Sequence, residues 1–163
     1  MATFNARMVE THGLEVSNVP VDTTGAAQTG DYYSLKRYNH LTIMIIQGAW
    51  AGGTPAVTLL QATDVAGTGE KALSFTTRWT MVAITGTAYT ETAVTSSTFN
   101  LPATANTINI LEIEASDLDL ANSFDCVRVN VATPGSNADL ICIVALLSQP
   151  RDERFPMPDA KVN

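Results

Sequence analysis

The chain has 163 residues, of which 45 % are hydrophobic and only 15 % charged. An average domain carries about a quarter of its residues as charges; here 22 threonines, with alanine and asparagine, fill the deficit, and the net charge is −7. These figures exclude a disordered chain, which needs low hydrophobicity and high charge, and a coiled coil, which needs Glu, Lys, Leu and Arg. They also argue against a direct nucleic-acid binder, because the nine Lys and Arg are scattered and only Lys36 and Arg37 adjoin. The longest apolar run, Leu140 to Leu147, falls far short of the roughly 18 residues of a spanning helix.

The predicted elements are strands. Leu14 to Val16 is a short candidate, followed by a small-residue loop from Thr23 to Asp31. Leu41 to Ile46 is continuously apolar and reads as a strand buried on both faces. Trp50 to Pro55 is a Gly-rich loop, and Val57 to Thr63 is the next strand. Ala66 to Glu70 forms a turn before Ala72–Thr76 and Trp79–Ile84, two further strands. Thr98 to Leu101 is a weaker candidate. Ile108 to Glu114 alternates, which predicts Ile108 and Ile110 against a core layer with polar groups opposite. Ser116 to Leu120 reads as a capped helical turn. Asp125 to Val131 alternates with Val127, Val129 and Val131 on one face. A Pro134-Gly135 turn then leads to Leu140–Leu147, a second strand buried on both faces. Short strands separated by turn chemistry predict an all-β fold, an antiparallel jelly-roll-like β-sandwich.

The ends differ from the middle. Gln149 to Asn163 holds three of the seven prolines and six charged residues, and Pro150, Pro156 and Pro158 forbid ordinary helix or central strand. The predicted organisation is an N-terminal arm over 1–13, a sandwich over 14–149 and a C-terminal arm over 150–163. Arg151, Arg154, Phe155, Pro156 and Met157 make that arm an anchor candidate, able to order on a neighbour. The N-terminus has no apolar signal core and no lipidation motif, so the expected product is cytoplasmic. Cys126 and Cys142 are expected on neighbouring strands across the Pro134-Gly135 turn, diagonal to each other and as buried free thiols.

Chemistry is sparse. There is no Gly-x-Ser-x-Gly elbow and no nucleophile–histidine arrangement, and His12 and His40 lack metal spacing. No cofactor or metal is expected, and the chain reads as a non-enzyme. Gly67-Thr68-Gly69-Glu70-Lys71 echoes a phosphate loop but precedes a strand, as a hairpin turn would. Asp117 and Asp119 flank one turn near Glu112, Glu114 and Asp125; the solvated-face reading outweighs a calcium site. Trp50, Trp79, Tyr32, Tyr33, Tyr38 and Tyr89 suggest a sugar platform, against the simpler expectation that Trp79 is core and the tyrosines line sheet edges or a subunit contact.

Four stretches resemble tailed-bacteriophage structural proteins: Tyr38 to Asp64, Gly67 to Phe75, Asn109 to Asp119, and Phe124 to Val129. They look like the small capsid decoration, or cement, proteins. The resemblance covers about residues 35 to 148 and rests on strand-turn patterns. It implies a jelly-roll domain, often a homotrimer, on the outside of an icosahedral head, made in the host cytoplasm. It further implies binding where subunits of the major capsid protein meet, with arms reaching over neighbours, and no catalytic residues. The other roles left open are a head fibre base, a tail or connector subunit, and a carbohydrate-binding module for host attachment.

Overall fold

The computed structural model describes residues 8–82, 86 and 88–151. Two antiparallel sheets pack into a sandwich. The larger, sheet A, runs β1 (Gly13–Asp22), β12 (Asp139–Pro150), β4 (Tyr38–Trp50), β10 (Thr107–Glu114), β7 (Thr77–Met81) and β8 (Thr90–Ala93). Sheet B runs β2 (Gln28–Thr29), β11 (Cys126–Val131), β5 (Ala56–Ala62) and β6 (Lys71–Ala72). To this sheet, β3 (Tyr33–Ser34) adds on β11 and β9 (Thr98–Asn100) on β5. The chain crosses repeatedly between the layers, so most ladders join segments distant in sequence. A four-residue helix, α1 (Met8–Thr11), precedes β1.

The core lies between the sheets. Leu41, Ile43 and Ile45 of β4, Leu111 and Ile113 of β10, and Ile141, Ile143 and Leu147 of β12 point inward. They meet Val57 and Leu59 of β5 and Val127, Val129 and Val131 of β11. Period-two alternation puts each of these on one face of its strand. Tyr33 and Tyr38 are also fully buried. Gly30 is where β11 comes closest to the loop after β2: a Cβ there would stand 2.5 Å from the Val129 carbonyl oxygen, so no larger residue fits.

A polar chain also crosses the core. Asn109 is fully buried; its Nδ2 donates to Gln47 Oε1 at 3.0 Å, while its Oδ1 accepts from Thr80 Oγ1 and Arg78, each at 3.0 Å. Gln47 passes the string on to the Pro102 carbonyl at 2.9 Å. This corrects the sequence expectation for β10: Asn109 faces in, so Ile108 and Ile110 face out. Burial without partners would cost Asn109 several kcal/mol, and its three polar partners remove that cost.

Two more expectations change. β11 and β12 are not paired with each other; they belong to different sheets, so Cys126 and Cys142 are not diagonal neighbours. Both thiols are free, Cys126 buried and Cys142 half-buried. Of the Ala72–Thr76 candidate only Ala72 lies in a strand, and residues 83–85 lie outside the described residues. The capped turn becomes two 3₁₀ turns, Ala115–Asp117 and Leu120–Asn122.

Candidate functional site

The outward face of sheet A is apolar. Its register builds it row by row. Val16, Val144, Met44, Ile110 and Trp79 stand side by side across five strands. Beside them runs Cys142, Ile46, Ile108 and Met81, and beyond that Leu140 packs next to Gly48. On the other side runs Leu14, Leu146, Thr42 and Glu112. Leu14, Val16 and Leu140 are 39–49 % exposed; Met44, Ile46, Ile108, Ile110, Val144 and Leu146 are half-buried.

Local sequence explains this. Leu41–Ile46 and Leu140–Leu147 are continuously apolar, the pattern of strands covered on both faces. In the folded chain only one face is covered: Ile43 and Ile45 enter the core, while Met44 and Ile46 do not. The outward face of sheet B is more polar, since beside Leu60 it presents Thr58, Asn130 and Arg128. Arg128 pairs with Glu70 and lies over the Tyr32 ring at 4.6 Å. The Tyr32 hydroxyl donates to Glu70 at 2.5 Å, and its own ionisation is pushed well up by burial and by that bond.

The apolar face has a polar end. His40 Nδ1 meets Ser148 Oγ at 2.9 Å and His40 Nε2 meets Glu112 at 2.6 Å, with Thr42 donating to Glu112 at 2.8 Å. The sequence offers no nucleophile–histidine arrangement; the β12–β4–β10 ladder brings Ser148, His40 and Glu112 together across more than a hundred residues of chain. Ser148 sits within the regular ladder opposite His40, on a sheet face rather than at a strand-to-helix elbow. Next to Glu112, a hollow of about 170 Å³ is lined by Ser74, Phe75, Thr76, Thr77, Trp79 and Asp117.

The remaining candidates disperse. Trp50 packs on the core and donates to the Gly53 carbonyl at 3.2 Å. Trp79 lies on the outer face instead of in the core, Tyr32, Tyr33 and Tyr38 are buried instead of lining edges, and Tyr89 alone of the four tyrosines is exposed. The six aromatic side chains therefore form no common platform. Asp117 accepts from the Glu114 backbone at 2.8 Å, whereas Asp119 pairs with Lys71 and accepts from Asn122 at 2.8 Å. Their carboxylates serve different partners, and the described residues hold no group of three metal-ligating side chains. Lys71 also lies over the Phe124 ring at 4.0 Å, so the Gly67–Lys71 loop is a hairpin turn with its lysine engaged. Of the arm residues, Arg151 is exposed and its N–H donates to the Arg37 carbonyl at 2.9 Å; Arg154, Phe155, Pro156 and Met157 lie outside the described residues.

No protein-family model matches the chain, and no curated protein matches it. Among solved structures it is similar to the SPBc2 prophage-derived protein YomS. The two share 12 % identity over 83 % of this chain and 91 % of that one, with a TM-score of 0.46. That neighbour is a prophage-derived protein; at this identity and score the likeness assigns no role to the present chain.

Proposed function

We propose that the chain is a structural virion protein, a capsid decoration protein that binds the outer surface of a phage head and stabilises the shell by bridging major capsid subunits. The observation that carries the reading is the apolar outward face of sheet A, which the described chain leaves uncovered. Free solubility favours a polar outward face, as on sheet B; an apolar one this broad suits a protein whose working state is an assembly. The stretches that resemble decoration proteins fall on β4, β5, β10 and β11, the centre of the sandwich. Arg151, the last described residue, stands at an exposed basic corner with Lys36 and Arg37, which suits this end of the chain to dock on a neighbouring acidic surface. Many weak contacts on a fixed lattice then add up to firm attachment. In this reading the protein is not an enzyme and needs no cofactor.

The test is cosedimentation of the purified chain with expanded phage heads that lack it. Saturable binding at a fixed ratio to the major capsid protein is expected, with heads that release DNA at a higher temperature. A chain truncated after Arg151 should lose most of its occupancy. Full-length protein that stays in the supernatant would contradict the reading.

A further inference from the structure

Three cations of the described chain lie over aromatic rings. Lys71 Nζ is 4.0 Å from the Phe124 centroid and pairs with Asp119. The Arg128 guanidinium is 4.6 Å from the Tyr32 centroid and pairs with Glu70. Arg78 is 4.7 Å from the Phe99 centroid and donates to the Asn109 amide oxygen. A ring offers its negative face and a carboxylate its charge, so a cation between the two gains from both.

The hollow beside Glu112 is built of the same parts without the cation. Trp79 and Phe75 wall it, Glu112 and Asp117 bring the charge, and Ser74, Thr76 and Thr77 add hydroxyls. Trp is the ring that attracts a cation best. Ser74, Thr76, Glu112 and Asp117 are exposed, so the hollow opens to solvent. Neither carboxylate is fully engaged. Glu112 holds His40 and Thr42 through Oε2, and Asp117 accepts the Glu114 N–H through Oδ2, which leaves Oε1 and Oδ1. Among the described residues no lysine or arginine pairs with either acid. A neutral guest such as a sugar would take both charges partly out of water without compensating them. A cation compensates them, in a chain of net charge −7. The volume of about 170 Å³ takes one long side chain and not a folded element. Trp79 stands next to Ile110 of the apolar face, so a protein docked on that face can reach in.

We infer that this hollow receives a lysine or arginine side chain of the protein on which the chain docks. The preference for a cation stands on the hollow itself; placing that cation on a capsid subunit rests on the decoration reading. One exposed contact of this kind is weak, and repetition over a lattice makes it count.

The experiment titrates the full chain with N-acetylarginine amide and N-acetyllysine amide at fixed ionic strength and follows the indole N–H resonances of its two tryptophans by NMR. The Trp79 resonance, identified by its loss in Trp79→Phe, should shift saturably in the millimolar range, while that of Trp50, packed on the core, stays still. N-acetylcitrulline amide has the shape of the arginine probe without its charge and should bind at least about tenfold more weakly. Glu112→Gln combined with Asp117→Asn keeps an acceptor for Thr42 and for the Glu114 N–H, and should weaken binding about fivefold or more. Its unfolding transition checks that it is folded; should it fail to fold, the citrulline comparison on the wild-type chain still decides. No Trp79 shift, an equal shift with citrulline, a shift with methyl glucoside alone, or a folded double variant that binds as before would overturn the inference. So would a Trp79 resonance that answers the amides only after truncation at Arg151, which would give the hollow to the chain's own C-terminal cations. Cosedimentation with heads separates the two claims. Lower occupancy by the double variant supports both. Amide binding by a chain that ignores heads would overturn the capsid partner and support the cation site. Equal occupancy by the two chains would overturn the hollow as the place where the capsid's cation enters.

Discussion

Val144 of β12 stands directly opposite Met44 of β4, and both side chains point away from the core. One residue along β4, Ile43 is fully buried between the sheets. The same strand thus carries two apolar faces, one of which meets nothing within the described chain. Ile43→Ala should cost about 2–4 kcal/mol at any protein concentration, as a core truncation does. Ile110→Ala, on the outer face, should cost under about 1 kcal/mol. Denaturant titrations measure both, and a loss for Ile110→Ala as large as that for Ile43→Ala would place Ile110 in the core.

Asn109 is the polar residue on which the β10 register turns. Replacing it with Leu leaves Gln47 Oε1, Thr80 and Arg78 without their shared partner. Each buried group so stranded costs about 1–3 kcal/mol, so Asn109→Leu should destabilise by at least about 2 kcal/mol in urea. A neutral result would mean that Asn109 faces solvent, as simple alternation suggests.

Asp139 is fully buried, and its Oδ1 accepts from the Ala51 and Gly52 backbone N–H groups at 2.6 and 3.2 Å. It pins the loop after β4 to the start of β12. Asp139→Ala should cost about 2–3 kcal/mol by orphaning both donors. Asp139→Asn keeps an acceptor oxygen at that place and should cost clearly less. Thermal melts of the two variants give the comparison, and equal losses would show that the two donors are not what Asp139 supplies.

Stability should fall at both ends of the pH scale, for different groups. Lys71, then Asn122, hold the Asp119 carboxyl below its ordinary value, and Thr68 does the same for Asp64. A lowered carboxyl contributes stability that is present above its ordinary value and lost as pH falls through its folded one. Lys71→Met should therefore flatten the acid arm. Burial, helped by Asp125, pushes the Cys126 thiol from 9.0 up to about 12. The folded state then keeps a proton that the unfolded chain releases, so this contribution is intact below pH 9 and is lost as pH rises toward 12. Cys126→Ala should flatten the alkaline arm in urea titrations across that range. An unchanged slope would assign it to other groups.

Much of this fold is legible in the sequence because the strands announce themselves by apolar content and the turns by Gly, Pro and Asn. β4, β5, β10, β11 and β12 all fall where periodicity puts them. Pairing is less legible. The Pro134-Gly135 turn suggests a hairpin, but β11 and β12 enter different sheets, because a turn fixes proximity and not layer. Short strands such as β2, β3 and β8 carry too few residues for a pattern. The orientation of β10 is misread because a buried Asn is legible only once Gln47, Thr80 and Arg78 converge on it. The outer face is misread as well: two runs that read as covered on both faces are covered on one within the described residues. Ser148, His40 and Glu112 have no sequence signal, since three strands far apart in the chain bring them together.

The most direct test of the virion role is to image intact particles of a phage that encodes this chain, with an antibody against its C-terminal segment carrying a gold label. The account predicts label spread over the head shell at regular spacing, in numbers fixed by the capsid lattice. Label confined to the tail or connector, or particles that carry none of the protein, would contradict it.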